Sequence, residues 1–441
     1  MRWGLIAPIV LVVAVAAASA HAGATAACGK LLPPSQGVYF GAYAGWDFAP
    51  GSFDDIPDPA HVRIFETLTG THVEWAPWSI SWHDRLVFPT SAVERIWRAG
   101  YVPQLRVFTF PTQDYAPDAL PQSAWPGPIT HSDVAAGKYD DQLRAFADAA
   151  RDTDIPIFFD YDGEMNNAHP WGGRYEGGTA AHFRDAYRHI IDVFRAEGAT
   201  NVTFLIQYGA PNGYAAGSYW EPFEQFANYY PGDDYIDWIG LSVYGEPIYG
   251  TGPNATFEQK LTAQGFAQFG YTGTYAEATA LTSKPLAIEE LGFKDMPSEA
   301  AKTQWVEDAA AALQSGRYPR IDAIDWWAQN KEDGRGYDGW PFTQTFEDGL
   351  RQAFAQPFFD PRTQFSGDCS PLTPTLRVKK AVLSWAAIPN AASYEVWRGA
   401  KKVTTTSATT FRATKRGSYR VRGVNLVGAG RFSAPRPAPS P

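Results

Sequence analysis

Only two cysteines and three methionines occur in 441 residues. No CxxC pair is present, so a thiolate zinc site or a dithiol redox centre is excluded. No P-loop glycine pattern appears, which removes the commonest signature of a nucleoside triphosphate site. Beyond the amino-terminal segment no stretch is both long and uncharged, and a permanent membrane span is not expected. That segment has a different purpose. Arg2 gives it a positive start, Leu5 to Ala18 form an apolar run of about fourteen residues, short of a span, and Ala20-His21-Ala22 offers a small-x-small cleavage site. Residues 1–22 therefore read as a signal peptide, and the chain is expected to be exported, secreted or periplasmic. In an oxidising compartment Cys28 and Cys369 are free to pair, clasping the ends of one large domain. The alternative is a lipid on Cys28, but Thr25-Ala26-Ala27 lacks the leucine usual before a lipidated cysteine.

What the sequence does have is rings: 16 Trp, 22 Tyr and 27 Phe. Such a content builds a large core, or lines a groove for a flat uncharged polymer such as a sugar chain. Charge is unevenly shared. Residues 371–441 hold 13 Lys and Arg against one acid, Glu395, a net of +12; the first 370 residues hold 24 basic and 46 acidic side chains, a net of −22. Two parts with different electrostatic roles follow. The basic part is expected to meet an acidic polysaccharide or cell surface, while export argues against nucleic acid. A monomer without a cofactor is expected.

From Gly37 to Trp327 short β-rich runs alternate with amphipathic stretches, the pattern of repeated βα units. Predicted strands are Val38–Tyr43, His72–Trp75, Val102–Phe108, Ile155–Tyr161, Val202–Gln207, Ile236–Val243, Pro285–Glu290 and Ile321–Trp327. Predicted helices cover Ala92–Ala99, Tyr139–Arg151, Ala180–Glu197, Tyr219–Tyr229, Thr256–Phe269 and Ser298–Ser315. Eight strands with helices between them predict an α/β fold, a (β/α)8 TIM barrel over residues 31–360; a doubly wound open sheet is the alternative. Pro361, Pro371 and Pro374 mark a linker over 361–374, and alternating runs over 375–437 predict a small β-sandwich. Val382-Leu383-Ser384-Trp385, Tyr394-Glu395-Val396-Trp397-Arg398 and Tyr419 to Asn425 resemble a fibronectin type III domain.

In such a barrel the active site lies at the carboxyl ends of the strands. Strand four ends Asp160-Tyr161-Asp162-Gly163-Glu164-Met165-Asn166 and strand seven ends Ile288-Glu289-Glu290-Leu291-Gly292. Retaining glycosidases need two carboxyls about 5 to 5.5 Å apart, one protonated to release the leaving group and one ionised to attack the anomeric carbon. Glu164 is expected to be the acid/base and Glu290 the nucleophile. Strand alternation lets only one of Glu289 and Glu290 point inward, and places Asp160, Asp162 and Glu164 on one face. That acidic row either raises the pKa of the proton donor, forms a salt-bridged layer with Arg106, or holds a divalent cation.

These segments resemble glycoside hydrolase family 26, best known for β-mannanases. Glu164-Met165-Asn166 resembles its acid/base segment, Lys284-Pro285 with Glu290-Leu291-Gly292 its nucleophile segment, and Tyr235 to Gly240 leading to Tyr244 its sixth strand. Trp326-Trp327 with Asn330-Lys331 resembles its eighth, and Phe40-Gly41-Ala42-Tyr43 is a weaker match at its first. The resemblance implies a retaining mechanism, with Tyr244 bonded to the nucleophile and Trp326 as a stacking floor for the sugar. The substrate-binding set adds Asn166, Asp162, Trp75, and His169 and Trp171 in the loop after strand four. Three positions depart from the family. Gly163 stands where a histidine usually precedes the acid/base, Asp160 where an arginine is common, and Trp171 trails at a distance. The expected function is a secreted retaining endo-β-glycanase, with mannan one substrate to consider. The alternative is a barrel that binds polysaccharide without cleaving it.

Overall fold

A computed structural model describes residues 28–48, 55–82, 85–109, 129–166, 179–209, 226–245, 254–262, 272–293, 296–328 and 344–440. Eight parallel strands close into a barrel: β1 (Tyr39–Tyr43), β2 (Trp75–Ser81), β3 (Val102–Phe108), β4 (Ile157–Tyr161), β5 (Val202–Gly209), β6 (Trp238–Gly245), β7 (Leu286–Phe293) and β8 (Ile321–Trp327). Each pairs in parallel with its neighbours, and β8 returns to β1 through Ala323–Tyr39 to Trp327–Tyr43. The expected (β/α)8 fold is therefore present. Its strands are buried on both faces, as a parallel sheet inside a ring of helices requires.

Most strand boundaries shift by one to three residues from the sequence reading, and the second strand shifts most. Strand two was expected to end at Trp75; instead β2 begins there and runs to Ser81. Trp75 thus belongs to the amino-terminal end of the barrel, where its ring stacks 6.3 Å from Phe158, which in turn meets Trp238 at 5.6 Å. This aromatic plug closes the end opposite the expected site. Trp75 is 2% exposed and does not reach a substrate.

Helices absent from the sequence reading complete the outer ring, among them Pro59–Thr69, Thr274–Leu281 and Gln344–Phe354. The first carries clear local signals. Asp58 accepts a hydrogen bond from Ala60 N, Pro59 opens the helix, and Gly70 ends it at φ 67°. Ser298 caps Glu299–Gln314 by accepting from Ala301 N.

Two further sheets follow the barrel. One joins Arg377–Lys379, Val382–Ser384 and Thr410–Arg412; the other joins Lys401–Thr406, Ser393–Arg398, Gly417–Asn425, Gly428–Ala429 and Arg436–Ala438. Leu383, Trp385, Tyr394, Val396, Tyr419 and Val421 form their own buried cluster. These sheets are tied to the barrel. Cys28 and Cys369 form a disulfide, so the lipidated alternative for Cys28 falls away. Beside it Asp154 accepts from Cys28 N and from Asn390 Nδ2, and Trp97 Nε1 donates to Asn390 O. No helix among the described residues is long and apolar enough to cross a membrane. The segment read as a signal peptide lies outside the described residues.

Candidate active site

The barrel's carboxyl end is organised around one guanidinium. Arg106 projects inward from β3 and is 3% exposed. Its Nη2 donates to Glu290 Oε1 at 2.5 Å and to Gln207 Oε1 at 2.7 Å, while Nε lies 3.6 Å from Glu289 and 4.0 Å from Asp160. The second oxygen of Glu290 accepts from Tyr244 Oη at 2.7 Å. Two donors from different strands therefore hold the two oxygens of Glu290.

Both glutamates of the pair on β7 point into the barrel, contrary to the alternation argument. The pairing explains it. On β6, Leu241 and Ser242 pair with Ile288 and Glu290; on β8, Ile324 and Trp326, two residues apart, pair with Ile288 and Leu291, three apart. One extra residue is thus inserted at Glu289, a β-bulge that turns consecutive side chains to one side. Glu289 lies deeper than Glu290, 2% against 9% exposed, and Gln104 Nε2 donates to its Oε1. Gly240 makes room: a Cβ there would stand 2.4 Å from Glu289 Oε2.

The acidic row of strand four also resolves differently. β4 ends at Tyr161, and Asp162 and Glu164 adopt φ values of 48° and 59°. Past the strand, alternation no longer applies, and the three acids diverge. Asp160 stays inside the barrel beside Arg106. Burial, offset in part by Arg106 and reinforced by Asp162, pushes its carboxyl up to about 7. Asp162 is fully buried, accepting from Thr109 N, Thr109 Oγ1 and His131 Nε2. It staples the ends of β3 and β4 to the helix His131–Ala135 and is 0% exposed. Among the described residues no group of three His, Cys, Asp or Glu is placed to hold a metal ion.

Glu164 is partly exposed, and its backbone N donates to Gln207 O at 3.0 Å. A non-glycine residue at positive φ carries a strain of order 1–3 kcal/mol, tolerated mainly at functional positions. Gly163 before it explains the missing histidine: a Cβ there would lie 2.1 Å from Gln207 Oε1 and 2.7 Å from Asp160 Oδ2. Asn166 is buried, its Nδ2 donating to Gly209 O and its Oδ1 accepting from Gly209 N, which fastens the turn to β5. His169 and Trp171 lie outside the described residues.

The tryptophans of β8 face opposite sides of the strand, with Trp326, expected at the mouth, turned away from it. Trp326 faces outward and is 1% exposed, packed on Phe293 and on Phe346 of the helix Gln344–Phe354. It cannot be the sugar floor. Trp327 faces the mouth, stacked 3.9 Å from Tyr43 with Arg106 5.0 Å from its ring. Arg106 and Gln207 are the functional residues that motif reading underweighted; Arg106 was visible only as a possible counterion.

Residues 130–316 match the family model Glycosyl hydrolase family 26. That span includes β4 to β7, and with them Glu164, Tyr244 and Glu290. The chain is 23% identical over 301 residues to Endoglucanase H of Acetivibrio thermocellus, covering 68% of this chain and 28% of that protein. It is 25% identical over 111 residues to a β-1,3-xylanase of Alcaligenes sp, covering 25% and 21%. The chain thus spans about a quarter of the length of these relatives. Among solved structures, a family 26 β-mannanase from Bacteroides ovatus overlays with a TM-score of 0.47 at 18% identity, covering 74% of this chain and 90% of that one. The family pattern lies on the strands that bear the paired glutamates, and over residues 130–316 this (β/α)8 barrel chain is similar to glycoside hydrolase family 26.

Proposed function

We propose that this protein is an exported, retaining endo-β-glycanase. Glu290 attacks the anomeric carbon as Glu164 gives its proton to the departing glycosidic oxygen; the C–O bond breaks and a glycosyl ester forms on Glu290. Glu164, now a carboxylate, takes a proton from water, the water oxygen attacks the same carbon, and Glu290 leaves as carboxylate. Tyr244 and Arg106 orient Glu290 through both steps. Trp327 offers the ring against which the sugar at the cleavage point rests.

One observation carries this reading. Gln207 accepts from the backbone of Glu164 with its carbonyl and from Arg106 with its side chain, and the same Arg106 nitrogen donates to Glu290. The two glutamates are thereby linked across the barrel mouth through Gln207 of β5 and Arg106 of β3. The relatives' names cite glucan, xylan and mannan, so a β-linked polysaccharide is the substrate class, with mannan first to be tried. A 2-fluoro glycoside with a good leaving group tests the mechanism: a covalent adduct on Glu290 supports it, and oligosaccharide binding without turnover or labelling defeats it.

The basic sheets after the barrel suit attachment to an acidic polysaccharide. Arg420 and Arg422 stack 4.0 and 4.5 Å from the Phe432 ring, and Glu395, the one acid there, is already paired with Arg422 and Lys402. Retention on a carboxylated glycan that fades with added salt is the expected behaviour.

A further inference from the structure

The mechanism above uses Glu290, Glu164, Tyr244 and Arg106, and leaves a second glutamate beside the nucleophile without a task. Glu289 is out of reach of any sugar. It lies one layer below the mouth, under Arg106, in a space kept open by Gly240. A β-bulge is needed to turn it inward at all; a regular strand would have sent it to the helical layer. Its Oε1 accepts from Gln104 Nε2, two residues before Arg106 on β3; its Oε2 has no hydrogen-bond partner among the described residues.

We propose that Glu289 is a positioning residue for the nucleophile: joined to Gln104, it fixes the floor on which the Arg106 guanidinium rests and so aims Arg106 at Glu290. This role rests on the retaining mechanism proposed above. The argument is one of geometry and charge. One cation, Arg106, faces four carboxyls: Glu289 and Glu290 on β7, Asp160 on β4 and Asp325 on β8. Outside the barrel, Tyr187 is the further titratable group within electrostatic reach of Glu289. Were all four acids ionised, Arg106 would be drawn down toward Glu289 and Asp160 and away from Glu290. Burial and the neighbouring Asp160 hold the Glu289 carboxyl well above the usual carboxylate range, and burial does the same to Asp325. Glu289, held in place by Gln104, then supports Arg106 by shape without competing for its charge. As pH rises and Glu289 loses its proton, that competition appears and Glu290 loses a donor.

The experiment compares wild type, Glu289→Gln and Glu289→Ala on a polysaccharide the wild type cleaves, with kcat and KM measured from pH 4 to 10. Gln keeps the shape and the acceptor but has no proton to lose. We expect E289Q to stay within about threefold of wild-type kcat below neutrality and to hold its activity about one pH unit further into the alkaline range. E289A is expected to lose about tenfold in kcat with KM changed less than twofold, the signature of a group acting only at the reacting centre. E289A matching wild type overturns the role; so does E289Q falling as far as E289A, or keeping the wild-type alkaline limb. Gln104→Met, which removes the donor at similar volume, reads the same link from β3 should E289A not fold, and full activity in that variant overturns the role too. A wild type that cleaves no glycan removes the proposed mechanism and this role together, whereas an active wild type with an indifferent Glu289 removes this role alone.

Discussion

Tyr244 Oη and Arg106 Nη2 grip opposite oxygens of one carboxylate, at 2.7 Å from Glu290 Oε2 and 2.5 Å from Glu290 Oε1. The two donors come from β6 and β3, on different sides of the barrel, so Glu290 is held from both flanks. Its orientation is a property of the whole barrel rather than of one loop.

Removing either proposed chemical group is expected to separate the two steps. Glu290→Ala should abolish turnover of every substrate, by about 10⁴-fold or more. Glu164→Ala should lose about 10² to 10⁴-fold on polysaccharide, yet keep most of its first-step rate on aryl glycosides whose leaving groups need no proton. Burst kinetics with such a glycoside check this: E164A should accumulate the glycosyl-enzyme, and E290A should give no burst.

Arg106 is expected to matter to folding as much as to rate. Arg106→Met leaves Glu290, Asp160 and Glu289 without their shared cation, and breaking a buried pair in this way costs about 3–5 kcal/mol. Urea unfolding should show that loss, and kcat should fall without a matching rise in KM.

The β8 tryptophans give a clean contrast. Trp326→Phe trims the packing against Phe293 and Phe346, so it should lower the melting temperature while leaving kcat/KM near wild type. Trp327→Phe, on the mouth side, should act in the opposite sense, with the larger change in kcat/KM. Paired melting and kinetic measurements on the two variants decide it.

Stability should depend on pH in an unusual direction. Asp160 and Asp322 are both pushed by burial up to about 7. A carboxyl whose folded value is raised binds more protons folded than unfolded, so its contribution is present at low pH and declines from about pH 4 through about pH 7. Asp322 lies near the amino-terminal end of β8, away from the mouth. Asp322→Asn should therefore flatten part of that decline without altering activity, as urea midpoints at pH 5 and pH 8 would reveal.

The barrel was legible in the sequence because its strands are short apolar runs at repeat spacing, and the positions of Glu164, Tyr244 and Glu290 followed from strand ends. What was not legible depended on departures from regular backbone. The bulge at Glu289 has no local sequence mark, so alternation misplaced that side chain. Alternation failed again past Tyr161, where positive φ at Asp162 and Glu164 scattered an apparent acidic row. Trp75 was misjudged because its strand runs on through Pro77, a residue that reads as a break. By contrast, the helix Pro59–Thr69 carries local marks at both ends, Asp58 and Pro59 at its start and Gly70 at its close.

The Cys28–Cys369 bond encloses 341 residues of sequence separation in a covalent ring that contains every barrel strand. Beyond the few kcal/mol it removes from the unfolded ensemble, it sets a path for mechanical load. Tension entering through the carboxyl-terminal sheets, as from a polymer dragged by flow, reaches Cys369 and crosses directly to Cys28. The hydrogen-bond ladder of β1 to β8 is bypassed, and the reacting end of the barrel can stay in register while its tether is pulled.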